Sequence, residues 1–104
     1  MAGMTLEELQ AKHPPADRDA YDRARAAAVL AGDLAEMVYA MRTRAGLTQA
    51  DLAKRMGTTQ SSIARIEGGG SMLSIDMLAR LARATGISVH VGAAGVADVE
   101  IGAA

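Results

Sequence analysis

The 104-residue chain contains no cysteine, phenylalanine or tryptophan, and only two prolines and two tyrosines. Without cysteine there are no disulfides and no thiolate metal sites. Without large aromatics, a core has to be assembled from Leu, Ile, Val, Met and Ala. Such residues suit closely packed helices, each burying a modest area and contributing modest stability. No apolar run is long enough to span a bilayer, and no signal-peptide pattern opens the chain, so a cytoplasmic protein without membrane contact is expected. Charge of one sign is also lacking, since 11 Lys and Arg stand against 12 Asp and Glu. The net charge therefore points to no class of partner, but its distribution does. From Arg42 to Arg65 the bases Arg42, Arg44, Lys54, Arg55 and Arg65 face only Asp51, and the tail beyond Gly86 carries Asp98 and Glu100 with no Lys or Arg.

What is present is a succession of short helical signals. Thr5-Leu6-Glu7-Glu8 has the form of a capping box, and that helix should end near Lys12, before His13-Pro14-Pro15. A strongly helical stretch starts at Asp17. Gly32-Asp33 predicts a break or bend, with Asp33 and Glu36 able to cap a fresh helix. Leu34, Val38 and Met41 then form an apolar stripe that stops at Gly46. Thr48 caps the next helix, with Asp51 three residues on, and Gly57 ends it. A further helix over Gln60–Glu67 is stopped by Gly68-Gly69-Gly70. Ser74 caps another, with Ile75, Leu78, Leu81 and Ala82 on one face, ending at Gly86. Beyond Gly86 the period becomes two. Ile87–Val91 and Ala97–Ile101 alternate around Gly92-Ala93-Ala94-Gly95, predicting a β-hairpin with Ile87, Val89, Val91, Val99 and Ile101 on its apolar face. The fold class is mainly α. It comprises an N-terminal helical extension (1–32), a helix-turn-helix bundle (33–86) and a C-terminal β-hairpin (87–104).

The informative stretch is TQADLAKRMGTTQSSIARIEGG, Thr48 to Gly69. At about 100° per residue, Ile63 and Ile66 fall on one side of the second helix, and Ser61 and Arg65 fall opposite, flanked by Gln60 and Ser62. A merely solvated face usually carries Glu and Lys. This one carries amide, hydroxyl and guanidinium groups, which hydrogen-bond base edges and phosphates. A small residue at Ala53 permits close helix approach, Gly57 makes the turn and Ile63 plugs the joint, as a helix-turn-helix requires. Gln49 opens the first helix, where backbone N–H groups and the helix dipole suit a phosphate.

LTQADLAKRMGTTQSSIARIEGG resembles the Xre family and the lambdoid phage repressors at Leu47, Thr48, Gln49, Leu52, Ala53, Gly57, Ile63, Glu67 and Gly69. The likeness covers about Asp33 to Gly86 and implies a lambda-repressor-like domain. It further implies that Gln49 holds a phosphate and supports the first base reader. Gln60, Ser61, Ser62 and Arg65 then occupy base-reading positions, Thr59 and Gly68 lie at positions that touch the backbone, and Glu67 is structural. Arg44 and Lys54 are expected to hold phosphates. The wider layout, from A-Y-D-R-A-R-A to SIDMLARLARATGISVHV, is similar to HigA-type antitoxins. That likeness implies operator DNA and a RelE- or HigB-like toxin ribonuclease as partners, and a homodimer as the acting form. A stand-alone Xre-type regulator shares the same motif. The loop Gly68–Leu73 lacks a proline that relatives often carry.

Plainer readings exist for single residues. Arg42, Arg44, Lys54 and Arg55 taken singly read as surface charge, His13 as a loop residue and His90 as a solvated strand residue. Asp98 and Glu100 lack a third metal ligand, and Tyr21 and Tyr39 read as packing residues, with a place at a partner surface as the alternative for Tyr21. No catalytic constellation, phosphate-binding glycine loop or paired carboxylates can be found, so the expectation is a non-enzyme without cofactor or metal.

Overall fold

The computed structural model describes Thr5, Glu7, Glu8 and residues 15–104, apart from the side chains of Pro15 and Ala16. The elements described in full are α1 (Pro15–Arg44), α2 (Gln49–Met56), α3 (Gln60–Glu67), α4 (Ile75–Thr85), β1 (Val89–Ala93) and β2 (Ala97–Ile101). The chain divides into two compact units, Met1–Leu30 and Ala31–Ala104.

In the first unit the reciprocal bonds of the expected capping box are present. The Thr5 amide donates to Glu8 Oε2 at 3.2 Å and the Glu8 amide to Thr5 Oγ1 at 3.1 Å. The expected end of that helix near Lys12, and His13, lie outside the described residues. Tyr21 is 55% exposed, so it does not pack within the chain, which leaves the partner-surface reading untested.

The break expected at Gly32-Asp33 does not occur, because α1 continues through both residues. A lone glycine costs a helix only about 1 kcal/mol against Ala, and no proline lies nearby to enforce the interruption. The helix also starts at Pro15 rather than Asp17, since proline is well tolerated in a first turn, where its missing N–H has no partner to lose.

The core of the second unit joins Val38 and Met41 of α1 to Leu47, Leu52, Ala53, Met56, Ile63, Ile66, Leu78, Leu81, Ala82, Ala84 and Val89. Two expectations shift by a fraction of a turn. Along α1 the buried line runs Ala31, Ala35, Val38, Met41, while Leu34 stays partly exposed. Along α4 it is Ala84 that is buried with Leu78, Leu81 and Ala82, and Ile75, in the first turn, is 66% exposed.

Two arginines tie α2 to α4. Arg55 Nη1 donates to the Ala84 carbonyl at 3.1 Å, and Arg80 Nη1 donates to the Met56 carbonyl at 3.2 Å. Each supplies a donor to a late carbonyl of the other helix, where intrahelical partners run out.

β1 and β2 pair antiparallel, with Val89 opposite Ile101, Val91 opposite Val99 and Ala93 opposite Ala97. The first strand starts two residues later than the alternation predicts, because Ile87 and Ser88 are spent leaving α4 after Gly86. The expected turn Gly92–Gly95 correspondingly moves to Ala94–Val96. α4 contacts both strands. Only Val89 of the expected apolar face is fully buried; Ile87 and Ile101 are half-buried, and Val91 and Val99 are exposed.

Candidate nucleic-acid interface

α2 and α3 are each eight residues long, too short to be stable alone. Their ends are therefore closed by side chains and their inner faces anchored. Thr48 caps α2 with a complete box: the Asp51 amide donates to Thr48 Oγ1 at 3.0 Å, and the Thr48 amide to Asp51 Oδ2 at 3.2 Å. The Asp51 carboxyl is held below its ordinary range, first by the bond from the Thr48 backbone, then by the Thr48 side chain and more weakly by Arg55 and Lys54. Gly57 ends α2 in the left-handed conformation at φ 69°, with its N–H turned back to α2 carbonyls. An L-residue there would be strained by its own Cβ.

Ala53 (3% exposed) and Ile63 (0%) both belong to the core, where α2 and α3 pack against each other. Ile66 is buried beside them. Together the isoleucines of α3 contribute about 1.5–3 kcal/mol each by burial. That fixes α3 by one side and leaves Gln60, Ser61 and Arg65 exposed on the other.

At the start of α3, three hydroxyls form a local network. The Ser62 amide donates to Thr59 Oγ1 at 3.1 Å, and the Thr59 hydroxyl donates to Ser62 Oγ at 2.9 Å. Ser61 Oγ lies 3.2 Å from Thr59 Oγ1. Thr59 is thus the N-cap of α3, and Ser62 is half-buried with its oxygen occupied. Of the four positions expected to read bases, Ser62 is the least free.

The C-terminal end of α3 is held by α1. Arg42 lays two nitrogens on Glu67, Nε to Oε2 at 2.7 Å and Nη2 to Oε1 at 2.9 Å, and Nη1 donates to the Leu47 carbonyl at 2.9 Å. The guanidinium carbon sits 5.2 Å from the centre of the Tyr39 ring, which is itself half exposed and not a packing residue of the core. Hydrogen bonding to Glu67 raises the Arg42 pKa further above its usual value, outweighing the opposite effect of burial. Gln49, half-buried at the start of α2, approaches the same carboxylate with Nε2 at 3.5 Å from Glu67 Oε1.

The basic middle of the sequence is accordingly split. Arg42 belongs to the part-buried pair with Glu67, and Arg55 spends one nitrogen on the Ala84 carbonyl. Arg44, Lys54 and Arg65 are exposed, with no ion pair among the described residues. Gly68 closes α3 with its own N–H on the Ala64 carbonyl at 2.9 Å, so that amide is already engaged. In the sequence Gly70 reads only as part of a helix stop, yet in the fold it abuts Arg65. Its N–H donates to the Arg65 carbonyl at 2.9 Å, and a Cβ on it would stand 3.1 Å from Arg65 Cγ. The three-glycine run hid this, because a stop signal after a helix needs no particular side chain beside it.

Two short helices set across a tight glycine turn, the second anchored by isoleucines and bare on its polar flank, define a helix-turn-helix protein. A family model described as Helix-turn-helix matches residues 38–91. The chain belongs to this family, in its Xre-like form, a class of sequence-specific DNA-binding regulators. No curated protein and no solved structure matches the chain. Among the described residues no helix is long and apolar enough to cross a membrane.

Proposed function

We propose that this chain is a transcriptional repressor whose α3 enters the major groove of an operator. The observation that carries the reading is the division of α3: Ile63 and Ile66 buried, and Gln60, Ser61 and Arg65 exposed on the opposite flank. Gln60 has the amide geometry that suits adenine, and Arg65 the bidentate donors that suit guanine. Ser61 adds a rotatable hydroxyl, and Ser62 contributes at the edge of the contact. Gln49, Lys54, Thr59 and Gly68, at or near the ends of α2 and α3, and Arg44, at the end of α1, form the phosphate-contacting set, which positions α3 without reading sequence. The acting form is a homodimer on a two-fold operator, with half-sites about 34 Å apart. Within this reading the protein works in the cytoplasm, is not an enzyme and needs no cofactor.

A narrower role is antitoxin of a type II, HigBA-like pair, repressing its own operon and neutralising a RelE-like toxin ribonuclease. The support is the order of segments, an alanine-rich helical lead before the helix-turn-helix and an alternating tail after it. The alternative is a stand-alone Xre-type regulator. Electrophoretic shift with the DNA upstream of the chain's own gene tests the repressor reading, with salt-sensitive, sequence-selective binding expected. Unselective binding of parent and Arg65→Ala alike would refute it. Co-purification with the product of the adjacent gene separates the antitoxin from the lone regulator.

A further inference from the structure

We infer that Glu67 is a positioning residue for the DNA contact of Gln49, its carboxylate fixing which way the Gln49 amide faces. The inference rests on the repressor reading, in which Gln49 meets a phosphate, and adds the group that aims it.

Glu67 is the last residue of α3 and Gln49 the first of α2. Gln49 Nε2 stands 3.5 Å from Glu67 Oε1, at the long end of hydrogen-bond reach. The carboxylate is itself held in place. Arg42 grips both its oxygens, at 2.7 and 2.9 Å, and the Glu67 side chain is only 6% exposed. The same guanidinium donates from Nη1 to the Leu47 carbonyl, which pins the backbone two residues before Gln49. The capping box of Thr48 fixes the residue between them. Both the main chain that carries Gln49 and the acceptor that faces its side chain are therefore anchored. What remains to be set is the orientation of the amide.

The chemistry of the carboxylate sets it. A carboxylate paired with a guanidinium only accepts, whereas an amide has two N–H donors at one end and a carbonyl oxygen at the other. Turned one way, Gln49 gives one N–H to Glu67 and keeps the second for another acceptor. Turned over, it would set its own oxygen against Glu67 Oε1, with no hydrogen between the two. Glu67 thus selects the first orientation, and the N–H that remains is the donor a phosphate oxygen requires. Gln49 and Glu67 line one open cleft with Tyr39 and Gly68, and Gln49 is half-buried, so the amide can be reached from outside. A glutamine at position 67 would still offer Arg42 an acceptor, but it could meet Gln49 in either sense. The relay runs from Arg42 on α1, through the end of α3, to the start of α2.

The test is a double-mutant cycle of Glu67→Gln and Gln49→Ala in the full chain, read by binding to the DNA upstream of its own gene. Urea titration gives the folded fraction of each variant, so affinities are compared between folded proteins. Glu67→Gln is expected to weaken binding roughly fivefold, about the worth of one hydrogen bond. The loss should be alike for all DNA sequences, because a phosphate contact carries no base preference. In the Gln49→Ala background the same change should cost nothing. An equal loss in both backgrounds overturns the inference, since Glu67 would then only support the fold. Undiminished affinity of the single Glu67→Gln variant overturns it as well. Nuclear magnetic resonance of the parent needs neither variant nor DNA. It should show one Gln49 side-chain hydrogen shifted downfield, and the pair exchanging with water more slowly than those of exposed Gln60. Gln49 signals that match those of Gln60 overturn the inference even if Glu67→Gln fails to fold. A parent that binds no DNA sinks the repressor reading, and the resonances then still show whether Glu67 holds the amide.

Discussion

Arg42 and Glu67 meet side-on through two hydrogen bonds of 2.7 and 2.9 Å, joining the last turns of α1 to the end of α3. Their side chains are 13% and 6% exposed, so neither charge is well solvated. Losing one partner of a buried pair costs about 3–5 kcal/mol, chiefly because the other is stranded. With Arg42 slightly exposed, Arg42→Ala is expected to lower the unfolding free energy by roughly 2–4 kcal/mol, measured by urea titration. Glu67→Gln, which keeps an acceptor for Arg42, should cost less.

The exposed flank of α3 makes a different prediction. Arg65→Ala and Gln60→Ala should each weaken operator binding by roughly 1–3 kcal/mol and relax base preference at one position. Lys54→Ala should weaken all sequences alike and flatten the dependence of affinity on salt by about one unit of slope. Neither set should shift the melting temperature by more than a degree or two, because these side chains are exposed and outside the core. Competition binding against randomised duplexes at several salt concentrations separates the two behaviours.

Gly70 lies close under the stem of Arg65, and its own backbone needs no positive φ. Gly70→Ala should therefore leave stability nearly unchanged while shifting the Arg65 stem. The expected outcome is a several-fold loss of operator affinity that disappears in an Arg65→Ala background. Gly57→Ala should do the reverse, costing about 1–2 kcal/mol through its left-handed turn. Paired thermal melts and binding curves distinguish them.

Asp51 gives a pH dependence with a defined sign. Its folded pKa lies below the unfolded one because its carboxylate accepts from Thr48. The stabilisation is therefore complete above the ordinary carboxylate range, near pH 4, and is lost as pH falls through the lowered folded value. Nuclear magnetic resonance should show the Asp51 carboxyl and the Thr48 amide titrating together in that acid window. Asp51→Asn should abolish the coupled titration.

Much of this domain was legible before any coordinates. The capped starts at Thr48 and Ser74, and the stops at Gly57 and Gly86, rest on local backbone chemistry, so the residue identities suffice, whereas the cap supplied by Thr59 emerges only in the structure. The division of α3 is likewise local, a matter of helical spacing. What could not be read were the choices made between segments. Gly32 is a weak point in isolation, and only the continuous helix reveals that it was tolerated. Arg42 reads as one of four surface bases until Glu67, 25 residues away, is found beside it. Arg55 and Arg80 carry no sequence sign that each would finish the other's helix. The extent of the hairpin's uncovered face depends on how far α4 reaches, which alternation cannot tell.

The bare flank of α3 contributes no side chain to the core. Gln60, Ser61 and Arg65 can therefore be exchanged in combination without disturbing the scaffold, which rests on the isoleucines, the threonine caps and the arginine ties. A library varied at those three sites should yield proteins equally sturdy but obedient to different addresses. The same architecture could thus be retuned to a new promoter by altering a few letters, while every residue responsible for assembling it is left alone.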